Sequence, residues 1–226
     1  MNPKERAAEA ALQYVRSDSA IGLGTGSTAD YFLQALAEAL RQGRLRNVRG
    51  VPSSARSEQQ ARQLGIPLTD LQTAPQLDVT VDGADEVTPR LDLIKGLGGA
   101  LLREKIVAQN SRQLVIMIDS SKRVDVLGEK GPLPVEVAMF GHEAQERFLR
   151  ALGGVPKLRM KDDHSAPFVT DNGNYIYDCK FPAIPDPDVL DLALSRRAGV
   201  IESGLFLGMA SLVLVGDEQG VMTLKR

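Results

Sequence analysis

The sequence predicts an α/β protein: a doubly wound, mostly parallel sheet of Rossmann type with an inserted ferredoxin-like α+β domain. Three observations predict it. Short apolar runs alternate with helix-periodic segments from residue 4 to residue 121, the pattern of a parallel sheet covered on both faces. After the Gly/Pro-rich stretch GEKGPLPVEV the order becomes strand, helix, strand, strand, helix, strand. The 226 residues are enough for one large domain or two small ones with a real core. The expected division is 1–130 with 205–226 as the α/β domain and 131–204 as the insert.

The elements follow in chain order. Residues 4–15 read as a helix and SAIGLG, at 19–24, as a short buried strand. TADYFLQALAEALRQG is a helix with Tyr31, Leu33, Leu36 and Leu40 on or near one stripe and Gly43 as a stop. VRGVP is a strand, Ser54 caps a helix ended by Gly65, and IPLTDL and LDVTVDG are further strands. LDLIKG is a short strand, parallel if it joins the main sheet. GALLREKIVAQN is a helix and QLVIMIDSS a buried strand.

Beyond the linker, VEVAMF is a strand, HEAQERFLRALG a helix and PKLRM a strand. FVTDNGNYIYDCKF reads as a hairpin turning at Asn172-Gly173, with a clean period of two from Tyr175 to Phe181. DPDVLDLALSRRAG is a helix with Asp186 at the cap, Pro187 at the first position and Gly199 at the end. VIESGLF closes the insert as a strand. ASLVLVGDEQGVMTLK is a final hairpin returning to the first domain.

Composition excludes several function classes. Lys plus Arg is 27 against 29 for Asp plus Glu, so no global field draws nucleic acid and an anionic ligand must be held by local groups. The single cysteine, Cys179, forms no internal disulfide and fits a reducing compartment. MNPKERAAEAALQYV lacks the apolar core of a signal peptide, and no apolar run approaches the roughly 18 residues of a membrane span. The expectation is a cytoplasmic protein bound to neither membrane nor nucleic acid.

GLGTGSTADYF, residues 22–32, raises the question of a phosphate. A dinucleotide loop wants a third glycine where Ser27 stands and an acid at the end of the second strand, which reads GVPSSARS. A Walker loop wants Gly-Lys-Ser/Thr, and here the sequence is Gly-Ser-Thr. What survives is a loop whose backbone N–H groups, hydroxyls and helix N-terminus suit a smaller anion. The plainer alternative is a tight turn with a Ser/Thr cap.

VTVDGADEV places Asp82, Asp85 and Glu86 after a buried strand, either as a solvated turn or at the ligand-binding edge of the sheet. Lys122 in DSSK belongs to that edge, and Lys95 joins it if LDLIK is parallel. Glu104 is the most informative acid. Its neighbours three and four residues away are Ala100, Leu101, Val107 and Ala108, so it projects from a face expected to be buried. A carboxylate there suits a general base, unless it bends back to Arg103, Lys105 or Lys122. His142 and His164 lack ligand-spaced partners and read as surface residues, and Cys179 as packing. Two lysines compete with any metal at Asp82, Asp85 and Glu86.

GLGTGSTA, VDGADEV, IKGLGGALLREKIVA and DSSKRVDVLG, in this order, resemble the type A ribose-5-phosphate isomerase family, as do PLPVEV, VTDNGN and the closing GLF. The resemblance covers nearly the whole chain. It implies the domain plan above, with the ferredoxin-like part as a lid. It also implies interconversion of ribose 5-phosphate and ribulose 5-phosphate in the non-oxidative pentose phosphate pathway. No metal or cofactor is implied, and the assembly is a dimer or tetramer.

By motif, the resemblance makes Glu104 the base, with Asp82, Asp85 and Lys95 as the other catalytic side chains. Substrate contacts are carried by Thr25, Gly26, Ser27, Thr28 and Lys122, by Gly83 and Ala84 beside the aspartates, and by backbone around Gly96, Leu97 and Gly98. Lys4 matches a phosphate-contacting lysine. Many relatives have glycine at position 97, so Leu97 is expected to point out of the loop with its backbone unchanged. Two rival readings are an amino-sugar phosphate deaminase, which would want a histidine at the active edge, and a sugar-phosphate sensor, which would want a DNA-binding module.

Overall fold

The computed structural model describes residues 2–226. The chain folds as two units. The first comprises Met1–Ala84, Arg103–Lys122 and Gly208–Arg226, and the second Asp85–Leu102 and Arg123–Leu207. The sequence reading instead keeps 85–102, 123–130 and 205–207 with the first domain.

The first unit is built on α1 (Pro3–Ala11), β1 (Ala20–Leu23), α2 (Ser27–Arg41), β2 (Arg49–Pro52), α3 (Ala55–Gln63) and β3 (Val79–Gly83). It also holds most of α4 (Leu101–Gln109), then β6 (Leu114–Asp119), β12 (Leu212–Gly216) and β13 (Val221–Lys225). The sheet order is β13-β12-β6-β3-β1-β2, parallel except for β13 at the edge. The strand order reverses beside β1, which lies between β2 and β3, and such a switch point leaves a crevice at the carboxyl ends.

Strand alternation explains the two covered faces. Ile21, Leu23, Val79, Val81, Val115 and Met117 pack with Ala7, Ala8 and Ala11 of α1 and Phe32, Leu33 and Leu36 of α2. Ala20, Val51 and Leu77 pack on the other face with Val107 of α4. Each large side chain fully buried this way contributes about 1.5–3 kcal/mol. Asn2 caps α1 through a capping box with Glu5, and Ser54 caps α3 in the same way with Ser57.

The second unit holds β4 (Glu86–Val87), β5 (Leu93–Ile94) and β11 (Leu205–Phe206) in a small antiparallel sheet of order β11-β5-β4. It also holds β7 (Leu133–Val137), α5 (His142–Ala151), β8 (Val155–Leu158), β9 (Tyr175–Lys180), α6 (Pro187–Ser195) and β10 (Val200–Ser203). Its larger sheet has the order β10-β7-β9-β8, antiparallel throughout, with the strand–helix–strand–strand–helix–strand sequence of a ferredoxin-like unit. Leu133, Val135, Val137, Tyr177 and Cys179 face Leu149 of α5 and Leu194 of α6.

Four local expectations are corrected. IPLTDL forms no strand, only a Gly50–Leu68 bridge, because Pro67 has no N–H and Asp70 turns the chain by accepting from the Thr73 N–H. LDLIKG gives β5, which is antiparallel and outside the main sheet. Residues 168–171 are not a hairpin arm: β9 pairs with β8 instead, and the turn at Asn172-Gly173 is tied down by Glu136 Oε1, which accepts from Thr170 Oγ1 and Asn174 Nδ2. The strand expected from VEVAMF begins two residues earlier, at Leu133, inside the Gly/Pro-rich stretch.

Candidate functional site

The glycine loop sits where β1 ends. Gly26, with φ +111°, is the N-cap residue of α2, and no side chain caps that helix, so the Ser/Thr cap is corrected to a glycine cap. The first-turn hydroxyls are thereby left for other contacts. Ser27 Oγ accepts from Lys4 Nζ at 2.9 Å. Thr25 Oγ1 lies 2.9 Å from Ser53 Oγ and 2.8 Å from Ser54 Oγ, at the start of α3. Those two serines are neighbours of the loop that sequence reasoning missed; the one signal was their position directly after β2.

Gly24 has a different role. A Cβ there would fall 2.6 Å from Asp82 Cα and nearer still to the carboxylate. The missing side chain lets β3 bring Asp82 against the loop. Asp82 is 1% exposed, and its Oδ1 accepts from the Thr25 N–H at 3.0 Å and the Gly83 N–H at 2.7 Å. Gly83 borders the start of α2, since a Cβ on it would stand 4.0 Å from Thr28 Cβ. Thr28 is 9% exposed.

Asp119 ends β6, and Lys122 follows in a short 3-10 turn. Burial pushes the Asp119 carboxyl up, but the Ser121 hydroxyl and N–H and the positive charges of Lys4 and Lys122 outweigh it and hold the carboxyl below its ordinary range. Lys4 and Lys122 therefore both bring positive charge to Asp119, and Lys4 also reaches Ser27.

Glu104 is 4% exposed, and the four neighbours that define its face, Ala100, Leu101, Val107 and Ala108, are all buried. A Cβ at Gly22 would fall 2.5 Å from Val107 Cγ1 and would also strike Thr80, so this face of α4 lies on β1 and β3. Ser111, just past α4, bridges to Leu77 ahead of β3, so the helix runs antiparallel to that strand. Glu104 thus lies one turn from Val107 toward the carboxyl end of β3, the end that carries Asp82.

In the second unit, Asp85 N–H donates to the Ile94 carbonyl at 2.8 Å and Asp85 Oδ2 accepts from the Leu97 N–H at 3.0 Å. Lys95, after β5, is 2% exposed with Nζ 5.6 Å from the Phe206 ring centroid. Leu97 is 41% exposed and is not among the residues of positive φ, so its side chain leaves the loop without backbone strain.

Glu86 is not a metal-ligand candidate: it is 1% exposed and accepts the N–H groups of Gly128, Lys130 and Gly131, holding the linker turn. Among the described residues no group of three or more His, Cys, Asp and Glu side chains is placed to hold a metal ion. His142 is not a simple surface residue, since its Nδ1 lies 2.9 Å from the Tyr177 hydroxyl. No helix of the described residues is long and apolar enough to cross a membrane.

Residues 49–220 match the family model of ribose 5-phosphate isomerase A (phosphoriboisomerase A). The chain belongs to the ribose 5-phosphate isomerase A family. It is 56% identical over 223 residues to ribose-5-phosphate isomerase A of Roseiflexus castenholzii, covering 98% of this chain and 94% of that one. It is 42% identical to the ribose-5-phosphate isomerase A of Pyrococcus abyssi, covering 99% and 97%. Among solved structures it is similar to a D-ribose-5-phosphate isomerase in complex with phospho-erythronic acid, with a TM-score of 0.97 and 41% identity over 100% of both chains. It is also similar to ribose 5-phosphate isomerase A of Methanocaldococcus jannaschii, with a TM-score of 0.94 and 41% identity over 99% and 98%. As in those isomerases, the central sheet is mostly parallel.

Proposed function

We propose that the chain is an aldose–ketose isomerase that interconverts D-ribose 5-phosphate and D-ribulose 5-phosphate through an enediolate, with Glu104 as the base. The observation that carries the reading is the burial of Glu104 on an apolar helix face, in a chain of this family. The reaction needs one base able to reach both C1 and C2. A buried carboxylate on a rigid helix serves that need.

The remaining roles follow from chemistry. Lys95 supplies positive charge where the substrate oxygen becomes anionic. Asp82 and Asp85 hold hydroxyls and move the protons of ring opening. Thr25, Gly26, Ser27, Thr28, Lys4 and Lys122 hold the 5-phosphate, so that binding energy from the far end of the sugar aligns C1 and C2. Gly83, Ala84 and the backbone at Gly96, Leu97 and Gly98 line the sugar. No step calls on a metal or a nucleotide.

The reading includes a homodimer or tetramer, supported by the nearly full exposure of Phe140 and the exposure of Val155 and Ile201; light scattering tests it. It includes a cytoplasmic location, in keeping with a lone thiol at Cys179. The activity is tested by incubating the chain with ribose 5-phosphate in the presence of EDTA. Formation of ribulose 5-phosphate is the expected result. Binding without turnover would favour a sugar-phosphate sensor.

A further inference from the structure

The peptide between Gly96 and Leu97 is held at both ends. Its N–H donates to Asp85 Oδ2 at 3.0 Å, and its carbonyl accepts from Arg159 Nη1 at 3.2 Å. The same Nη1 reaches the next carbonyl, that of Leu97, at 3.1 Å. Arg159 follows β8, more than 60 positions further along the chain, and no sequence motif marks it.

Arg159 is itself held. Its Nε donates to Asp178 Oδ2 at 2.9 Å and its Nη2 to Asp178 Oδ1, a two-point fork from the neighbouring strand β9. Its main chain is fixed by the Arg159 N–H donating to the Ile176 carbonyl and the Phe168 N–H donating to the Arg159 carbonyl. The guanidinium carbon lies 5.8 Å from the Phe168 ring centroid, and the side chain is 13% exposed. Phe168 also backs the loop at Gly99, where a Cβ would fall 2.6 Å from its Cζ.

This arrangement fixes a direction. No peptide bond of the described residues is cis, and in a trans peptide the N–H points opposite to the C=O. With the Leu97 carbonyl drawn onto Arg159, the Gly98 N–H is turned away from it. The geometry points to Arg159, aimed by Asp178, as a positioning residue that orients the Gly98 N–H as a donor to the substrate and keeps the segment after Lys95 in register. The inference rests on the isomerase reading above. Arginine is required rather than lysine, because one ammonium cannot meet a carboxylate fork and two carbonyls together.

The test compares Arg159→Met, Arg159→Lys and Asp178→Asn with the parent chain. It reads kcat and KM on ribose 5-phosphate, thermal melting, and amide hydrogen exchange at Leu97, Gly98 and Gly99. Expected for Arg159→Met is a kcat about 10–100-fold lower, the size of effect a small misplacement of reacting groups produces, with KM within about threefold and faster exchange at the three amides. Arg159→Lys should recover little of it, whereas a purely electrostatic role would let lysine rescue. A folded Arg159→Met with kcat within about twofold of the parent overturns the inference. If that variant does not fold, Asp178→Asn decides: reduced kcat at similar KM supports the inference, and unchanged kcat overturns it. If the parent chain itself fails to isomerise the sugar, the isomerase reading falls, and exchange at Leu97 to Gly99 alone decides the positioning.

Discussion

The Thr25 N–H donates to Asp82 Oδ1 at 3.0 Å, tying the phosphate-loop candidate to the end of β3. Gly24 permits that approach. Gly24→Ala would put a Cβ 2.6 Å from Asp82 Cα, and backbone cannot yield cheaply. The expected cost is about 1–3 kcal/mol of stability, with a lower Tm and a lower kcat. Gly26→Ala has nothing within 4 Å of its Cβ and pays only for φ +111°. Thermal melts and kinetics of the two variants check this; wild-type behaviour in Gly24→Ala would contradict it.

Lys4 and Lys122 should act on binding more than on turnover. Lys122→Ala is expected to raise KM about tenfold or more with a smaller change in kcat, the mark of a lost uniform binding contact. Both lysines also help hold Asp119 below its ordinary value. A lowered carboxylate stabilises the fold above its unfolded pKa and loses that contribution as pH falls through the folded value. Either alanine variant should therefore raise the Asp119 titration midpoint, measurable by NMR, and shrink that acid-side loss.

Cys179 is fully buried, and burial pushes its thiol up to about 12. Unfolded thiol ionises near its ordinary value, so above that pH the unfolded chain has lost a proton that the folded chain keeps. Stability from this group is complete below the ordinary value and declines as pH rises toward about 12. A thiol reagent at pH 8 should label the chain only as fast as it opens, and rapid stoichiometric labelling of folded protein would contradict the burial.

The parts of this fold legible in the sequence were those set by local periodicity. A period of two marked β9, short apolar runs marked β3 and β6, helical periodicity marked α2, and the apolar neighbours of Glu104 foretold its burial. What escaped depended on partners far along the chain. Nothing around Tyr175 says that β9 pairs with β8 rather than with 168–171, because that choice is made by Glu136, which captures Thr170 and Asn174. LDLIK looks like any buried strand, and its antiparallel pairing with Leu205 and Phe206 is non-local. Glu86 reads as a site acid until its three N–H donors, more than 40 residues away, are seen. Arg159 could not be found by spacing, since its carbonyl acceptors lie in another element.

The central claim is tested most directly by Glu104→Gln, which keeps the size of the side chain and removes the base. Initial rates on ribose 5-phosphate should fall by about 10²–10⁴-fold, the range a positioned general base supplies, while titration calorimetry shows the sugar phosphate still binding. Turnover within a few fold of the parent, with the variant folded, would contradict the assignment of Glu104 as the base.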